Sequence, residues 1–129
     1  TYGRDYGTIP VATYIAGWEL DARLPTRGAA PWRLDGAMRW SYVEGRRGWF
    51  NRWSPSAVLR MPTTERLELH VEYFASFTQG QTDDFSQPFV SPGCHYVLTD
   101  RIEIGYRCGW GLTNEAAGFF SDAGLAVRW

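Results

Sequence analysis

Residues 67–77 read LELHVEYFASF, and the alternation in that stretch decides the fold class. Leu67, Leu69, Val71, Tyr73, Ala75 and Phe77 fall on one face of an extended chain, and Glu68, His70, Glu72, Phe74 and Ser76 on the other. Successive side chains of a strand point to opposite faces, so this period of two predicts a strand with one apolar side. A helix would need apolar residues recurring at three and four, a pattern the stretch lacks.

The same pattern recurs on both sides of it. Upstream, Trp18, Leu20, Ala22 and Leu24 oppose Glu19, Asp21 and Arg23, which predicts a first strand over 17–24. Trp32, Leu34, Met38, Trp40 and Tyr42 then oppose Arg33, Asp35, Arg39 and Ser41. Trp53, Ala57, Leu59 and Met61 oppose Arg52, Ser54, Ser56 and Arg60, with Pro55 on the apolar face, where it removes a ladder bond or marks a bulge. Downstream, CHYVLT (94–99) sets Cys94, Tyr96 and Leu98 against His95 and Val97. IEIGYRCGWGL (102–112) sets Ile102, Ile104, Tyr106, Cys108, Trp110 and Leu112 against Glu103, Gly105, Arg107, Gly109 and Gly111. The chain closes on GFFSDAGLAVRW, where Trp129, Val127, Leu125 and Ala123 share one face and Arg128, Ala126, Gly124 and Asp122 the other. The opening TYGRDYG reads as loop or strand top. The count is about seven or eight strands of roughly ten residues, the length with which a tilted strand crosses a bilayer.

At 129 residues the chain is one domain, 1–129, or the carboxyl-terminal part of one. A formal charge of -1 and pI near 6.1 exclude a basic nucleic-acid surface. All 13 basic residues are Arg, which suits forked pairing with carboxylates. No apolar run approaches the roughly 18 to 20 residues of a spanning helix. No secretory signal opens the chain, and its first residue, Thr1, reads as a start removed or not included.

Alternation is compatible with a soluble sandwich, apolar side inward, and with a membrane barrel, apolar side outward. The polar face favours the barrel. Arg107 is flanked by Gly105, Gly109 and Gly111, and Asp122 by Gly124 and Ala126, as a crowded, curved interior requires. Aromatics near strand ends, including Trp32, Trp49, Trp53, Tyr73, Tyr96, Tyr106, Trp110 and Trp129, fit interfacial girdles. The fold expectation is therefore an all-β, antiparallel up-and-down transmembrane β-barrel.

The segments VEYF, HYVLT and GWGLTNEAAGFF, spread over roughly the last eighty residues, carry a resemblance. They resemble the carboxyl-terminal half of outer-membrane proteins described as phenol-degradation MetA-pathway proteins, a transporter-like group. The resemblance implies a bacterial outer-membrane location and a lipid bilayer as surroundings. It also implies that Trp129, with Phe119, Leu125 and Val127, acts as an insertion signal for the barrel-assembly machinery. About substrate it implies almost nothing.

Short joints (near 25–31, 62–66 and 99–101) taking turns with longer polar ones put the former in the periplasm beside Trp129. Seven crossings then leave the amino end outside, whereas single-chain barrels normally have an even count. The expectation is that a missing amino-terminal portion or other envelope proteins supply further strands.

Glu68, His70 and Glu72 share a face, but alternate strand residues stand about 6.8 Å apart, too far for two ligands of one ion, so no metal is assigned. No cofactor motif appears, and no nucleophile sits beside a recognised base, so no enzyme is expected. Matching both faces of the last hairpin sets Leu98 against Ile104, Tyr96 against Tyr106 and Cys94 against Cys108, which permits either a disulfide or two free lipid-facing thiols. Glu68, His70, Glu72, Glu103, Arg107, Asp122 and Arg128 are the expected lumen-lining charges, paired with Arg of neighbouring strands. Passive or facilitated passage of a small solute is the functional expectation. A non-transporting barrel that docks partner proteins, or a soluble β-sandwich binding module, is the alternative.

Overall fold

The computed structural model describes residues 10–45, 48–80 and 84–129. Seven strands occupy them in chain order: β1 (Val11–Glu19), β2 (Arg33–Gly45), β3 (Gly48–Pro62), β4 (Leu67–Gln79), β5 (Ser86–Thr99), β6 (Ile102–Gly111) and β7 (Phe120–Val127). Each pairs antiparallel with the next in one up-and-down sheet, and the described residues contain no helix. The opening TYGRDYG lies outside the described residues.

Register follows side-chain parity throughout. Leu34 faces Leu59, Leu59 faces Val71, Leu69 faces Cys94, Tyr96 faces Ile104, and Ile104 faces Leu125, so the apolar residues of β2 to β7 share one side. A slip of one residue would move each set to the opposite face. Two turns pin this register. Thr64 Oγ1 accepts the backbone N–H groups of Arg66 at 3.2 Å and Leu67 at 3.0 Å, and Thr99 Oγ1 accepts those of Arg101 at 3.2 Å and Ile102 at 3.1 Å. The segments TERLEL and TDRIEI thus solve the same turn with the same hydroxyl chemistry.

Three prolines sit inside strands, and the sheet absorbs each without a shift. Beside Pro55 the β3–β4 pairing lapses between Trp53 facing Phe77 and Ser56 facing Phe74, with the register unchanged on either side. Pro55 therefore removes a ladder bond and makes no bulge. In β5, Pro88 and Pro92 face Ala75 and Val71. The flanking pairs Gly93 with Arg107 and Val90 with Trp110 put Pro92 opposite Cys108, whose carbonyl loses its ladder donor. Ser91, with no solvent exposure, replaces it: its hydroxyl donates to the Cys108 carbonyl at 2.9 Å. Ser91→Ala should cost about 1–3 kcal/mol, as expected for a buried acceptor left without a donor, and Ser91→Thr should cost less. Urea unfolding of the two variants checks this; equal midpoints would assign the hydroxyl no such role.

The first strand is Val11–Glu19 and not 17–24. Val11 and Ile15 register on the side that is polar elsewhere, facing Ser41 and Ala37, and this blurs the alternation before Gly17. Beyond Glu19 only isolated bonds continue, Leu20 N–H to the Trp32 carbonyl at 2.7 Å and Trp32 N–H to the Ala22 carbonyl at 2.8 Å. Pro25 and Pro31 then prevent a ladder. The joint expected near 25–31 is thus a segment over 20–32, held to its neighbour by the Thr26 hydroxyl donating to the Thr63 carbonyl at 2.5 Å. Conversely, β2 and β3 stay paired until Gly45 faces Gly48. Connection length therefore does not separate the two ends of the sheet. We call the end with Thr64 and Thr99 the threonine end, and the other the far end.

The last hairpin corrects the cysteine expectation. Tyr96 faces Ile104 and Cys94 faces Tyr106, two residues off the expected match: Thr99 pairs with Ile102 across a two-residue turn, and an irregularity between Val97 and Thr99 adds one residue to β5. Cys94 and Cys108 are consequently out of step, and both thiols are free.

Very little of the sheet is covered. Among the described residues Phe50 and Ala75 are the only buried hydrophobic side chains, each 5% exposed. The shared apolar face is open along the whole sheet, from Tyr14 at 71% through Val71 at 38% to Leu125 at 67% exposure. Aromatics stand at its ends, with Tyr42 stacked on Trp49 at 5.1 Å and Trp110 5.7 Å from Phe119 at the far end and Trp18, Tyr96 and Trp129 at the threonine end, but Tyr73 and Tyr106, expected near strand ends, lie at mid-strand, as does Tyr14. β1 and β7 are both free edges and make no contact with each other. With seven alternating strands, they run in the same direction.

Candidate functional site

The candidate site is the polar face, and the register assembles it from residues distant in sequence. Near the threonine end a row of alternating charge crosses the sheet. Arg33 Nε donates to Asp35 at 2.8 Å, and Arg60 bridges Asp35 at 3.2 Å and Glu68 at 3.2 Å. Glu68 faces His95, whose Nδ1 lies 3.1 Å from Glu103, and Arg128 reaches Glu103 at 3.7 Å. One step further in, Arg107 joins Glu72 at 2.9 Å to Asp122 at 2.7 Å. These side chains remain partly open to solvent, so each exposed pair contributes only about 0.2–1 kcal/mol. Their arrangement sets a potential more than it sets stability.

Glycines make the second step sterically feasible. Arg107 reaches Glu72 across β5, where the intervening position facing both His70 and Arg107 is Gly93. A Cβ at Gly93 would collide with the His70 Nε2 and lie 2.7 Å from the Tyr106 carbonyl oxygen. A Cβ at Gly105 would likewise stand 3.2 Å from the His95 ring, and one at Gly109 would collide with the Phe120 ring. Rings laid over neighbouring glycines leave a cleft of about 310 Å³ whose lining includes Arg60, His70, Glu72, His95, Arg107 and Asp122.

All seven of the charges expected from sequence lie on or beside this face. Glu68, His70 and Glu72 come from β4, Glu103 and Arg107 from β6, Asp122 from β7, and Arg128 follows it. His70 departs from the expected ion pairing. It is 8% exposed, its ring lies tilted against that of His95 at 5.0 Å, and its buried Nδ1 has no hydrogen-bond partner. Asp35, Arg60 and His95, which knit the row together, were not singled out by sequence; the Thr64 turn, which fixes Arg60 opposite His70, was a signal for Arg60, whereas Glu68 opposite His95 is set by the separate pairing of β4 with β5. Of the residues read as an insertion signal, Leu125 and Val127 lie on β7, and Phe119 and Trp129 flank it, all exposed.

Toward the far end the face changes character. Phe74 stacks on Phe89 at 5.0 Å, and Phe120 packs edge-on to both, at 5.9 and 6.0 Å. Beyond this aromatic group come Arg39, Ser41, Arg52, Ser54 and Thr78, with Arg52 stacked 5.7 Å over the ring of buried Phe50. Among the described residues no group of three or more His, Cys, Asp or Glu is placed to hold a metal ion. The chain matches no protein-family description, no curated protein and no solved structure.

Proposed function

We propose that this sheet is part of a transmembrane β-barrel of the bacterial outer membrane, with its apolar face against lipid. Its polar face lines a lumen through which a small solute passes without energy input. The observation that carries this reading is the pairing of an apolar face exposed on every strand with an opposite face of ion pairs and glycines. Water disfavours an apolar surface of that extent, whereas lipid matches it. Aromatics stand at both ends of that face, Tyr42, Trp49 and Trp110 at one and Trp18, Tyr96 and Trp129 at the other, as residues at two membrane interfaces would. The motif resemblance points the same way, and with it Trp129 is the end read by the assembly machinery.

The protein should extract from membranes only with detergent, and proteoliposomes containing it should conduct in planar bilayers. Extraction by buffer alone would turn the reading towards a soluble sandwich module. Detergent dependence with a silent bilayer would leave a structural barrel.

The two open edges favour a second element of this reading, completion by other strands. Because β1 and β7 run in the same direction, an all-antiparallel closure needs an odd number of additional strands, which also brings the total to an even number. An amino-terminal portion of the same protein, or another envelope protein, would supply them. The intact mass of the source protein tests the first source, and a mass equal to these residues alone would refute it.

A further inference from the structure

The structure assigns a small-oxyanion site to Arg39 and Arg52 at the far end of the polar face, suited to a carboxylate or phosphate group. Every carboxylate that the strands place on this face, namely Glu19, Asp35, Glu68, Glu72, Glu103 and Asp122, lies on the threonine-end side of the line from Ser56 through Phe74 to Phe89. On the other side, Arg39 and Arg52 are the only charged strand residues of the face among the described residues. Arg39 faces Ser54 and Arg52 faces Ser41, so the two are diagonal neighbours about 7–8 Å apart along the sheet.

Neither guanidinium has a carboxylate partner among the described residues, in contrast to Arg33, Arg60, Arg107 and Arg128. The Nε of Arg52 is moreover buried without an acceptor, an arrangement that costs free energy until one arrives. Among the described loop carboxylates at this end, Glu115 accepts the Ser86 N–H at 2.7 Å and Asp84 the Gly80 N–H at 3.4 Å. Two like charges held as diagonal neighbours repel, and an oxyanion between them would relieve the repulsion and fill the open N–H. The guanidinium fork matches two oxygens of one carboxylate or phosphate. Thr78, facing Arg52, uses its oxygen to accept the Phe85 N–H at 2.9 Å, which leaves its O–H free to donate. Within the passage reading, on which this role rests, the site is an anion waypoint that precedes the charge-balanced row; anion binding itself requires only the two arginines.

Inorganic phosphate is the first probe and acetate the second, each added to detergent-solubilised protein against sodium chloride of equal ionic strength. At ten times its Kd, phosphate should raise the Tm by roughly 5 °C over the chloride control. The rise should vanish in Arg39→Gln/Arg52→Gln and persist in Arg66→Gln/Arg101→Gln, which removes the same charge from the two threonine turns. Arg39→Lys/Arg52→Lys keeps the charge without the fork and should retain part of the rise; it also serves if the Gln pair fails to fold. A rise of equal size in wild type and the Arg39/Arg52 Gln pair, or no rise in wild type, overturns the site. Reversal potentials across a KCl gradient separate the two proposals. A conducting protein without the phosphate effect refutes the site and leaves passage standing, whereas a silent protein with the effect refutes passage and leaves the site.

Discussion

Val71→Arg should destabilise the lipid-inserted protein by about 2–4 kcal/mol, the cost of an arginine facing hydrocarbon near the bilayer midplane. Val71 is the fifth of the thirteen residues of β4, on the apolar face, and is 38% exposed. Were that face in water, the same substitution would stay within about 0.5 kcal/mol. A matched control is available at the same depth, because Val58 faces Glu72 on the opposite side of the sheet and lines the cleft. Val58→Arg puts the new guanidinium beside a carboxylate and should be nearly neutral. Urea unfolding in lipid vesicles measures both, and equal effects from the two would refute lipid contact on the apolar face.

Gly93→Ala should be the most disruptive single methyl group on the polar face. Its Cβ would meet the His70 ring, which can turn away only by abandoning its contact with the His95 ring, and the Tyr106 carbonyl oxygen at 2.7 Å, which moves only with the strand. Overpacking of this kind costs about 1–3 kcal/mol. Part of the clash is with one side chain, so the penalty should shrink in a His70→Ala background, with a coupling of at least about 0.5 kcal/mol. Unfolding midpoints of the wild type, the two single variants and the double variant give that coupling directly. Additive midpoints would mean that Gly93 is needed by the backbone alone.

Both expectations depend on facts of unequal legibility. That Val71 is apolar-facing and Glu72 polar-facing is evident from LELHVEYFASF, because a strand's period of two is a property of the backbone and needs no neighbour. The same reasoning located six of the seven strands in outline, although β5 begins at Ser86 instead of Cys94 and runs through two prolines. It misplaced the first strand where Val11 and Ile15 erase the contrast between faces. The register that set Cys94 opposite Cys108 failed for a different reason: parity fixes the face a residue takes but leaves pairings that differ by two residues equivalent, and the tight turn at Thr99 with the residue added between Val97 and Thr99 selects the other one.

Alone, then, the sequence determined an all-β chain of alternating strands, the membership of each face, and a polar side rich in small residues and charge. These are local properties, set by side-chain parity and turn chemistry. Only the tertiary structure decided which charges meet, because Arg107 finds Glu72 across an intervening strand and 35 residues of chain. The same pairing sequesters Asp35, Glu68 and Glu103 with partners and leaves Arg39 and Arg52 without a carboxylate among the described residues. Charge on a face is additive along the sequence, but its neutralisation depends on register, and register is fixed by pairing between strands.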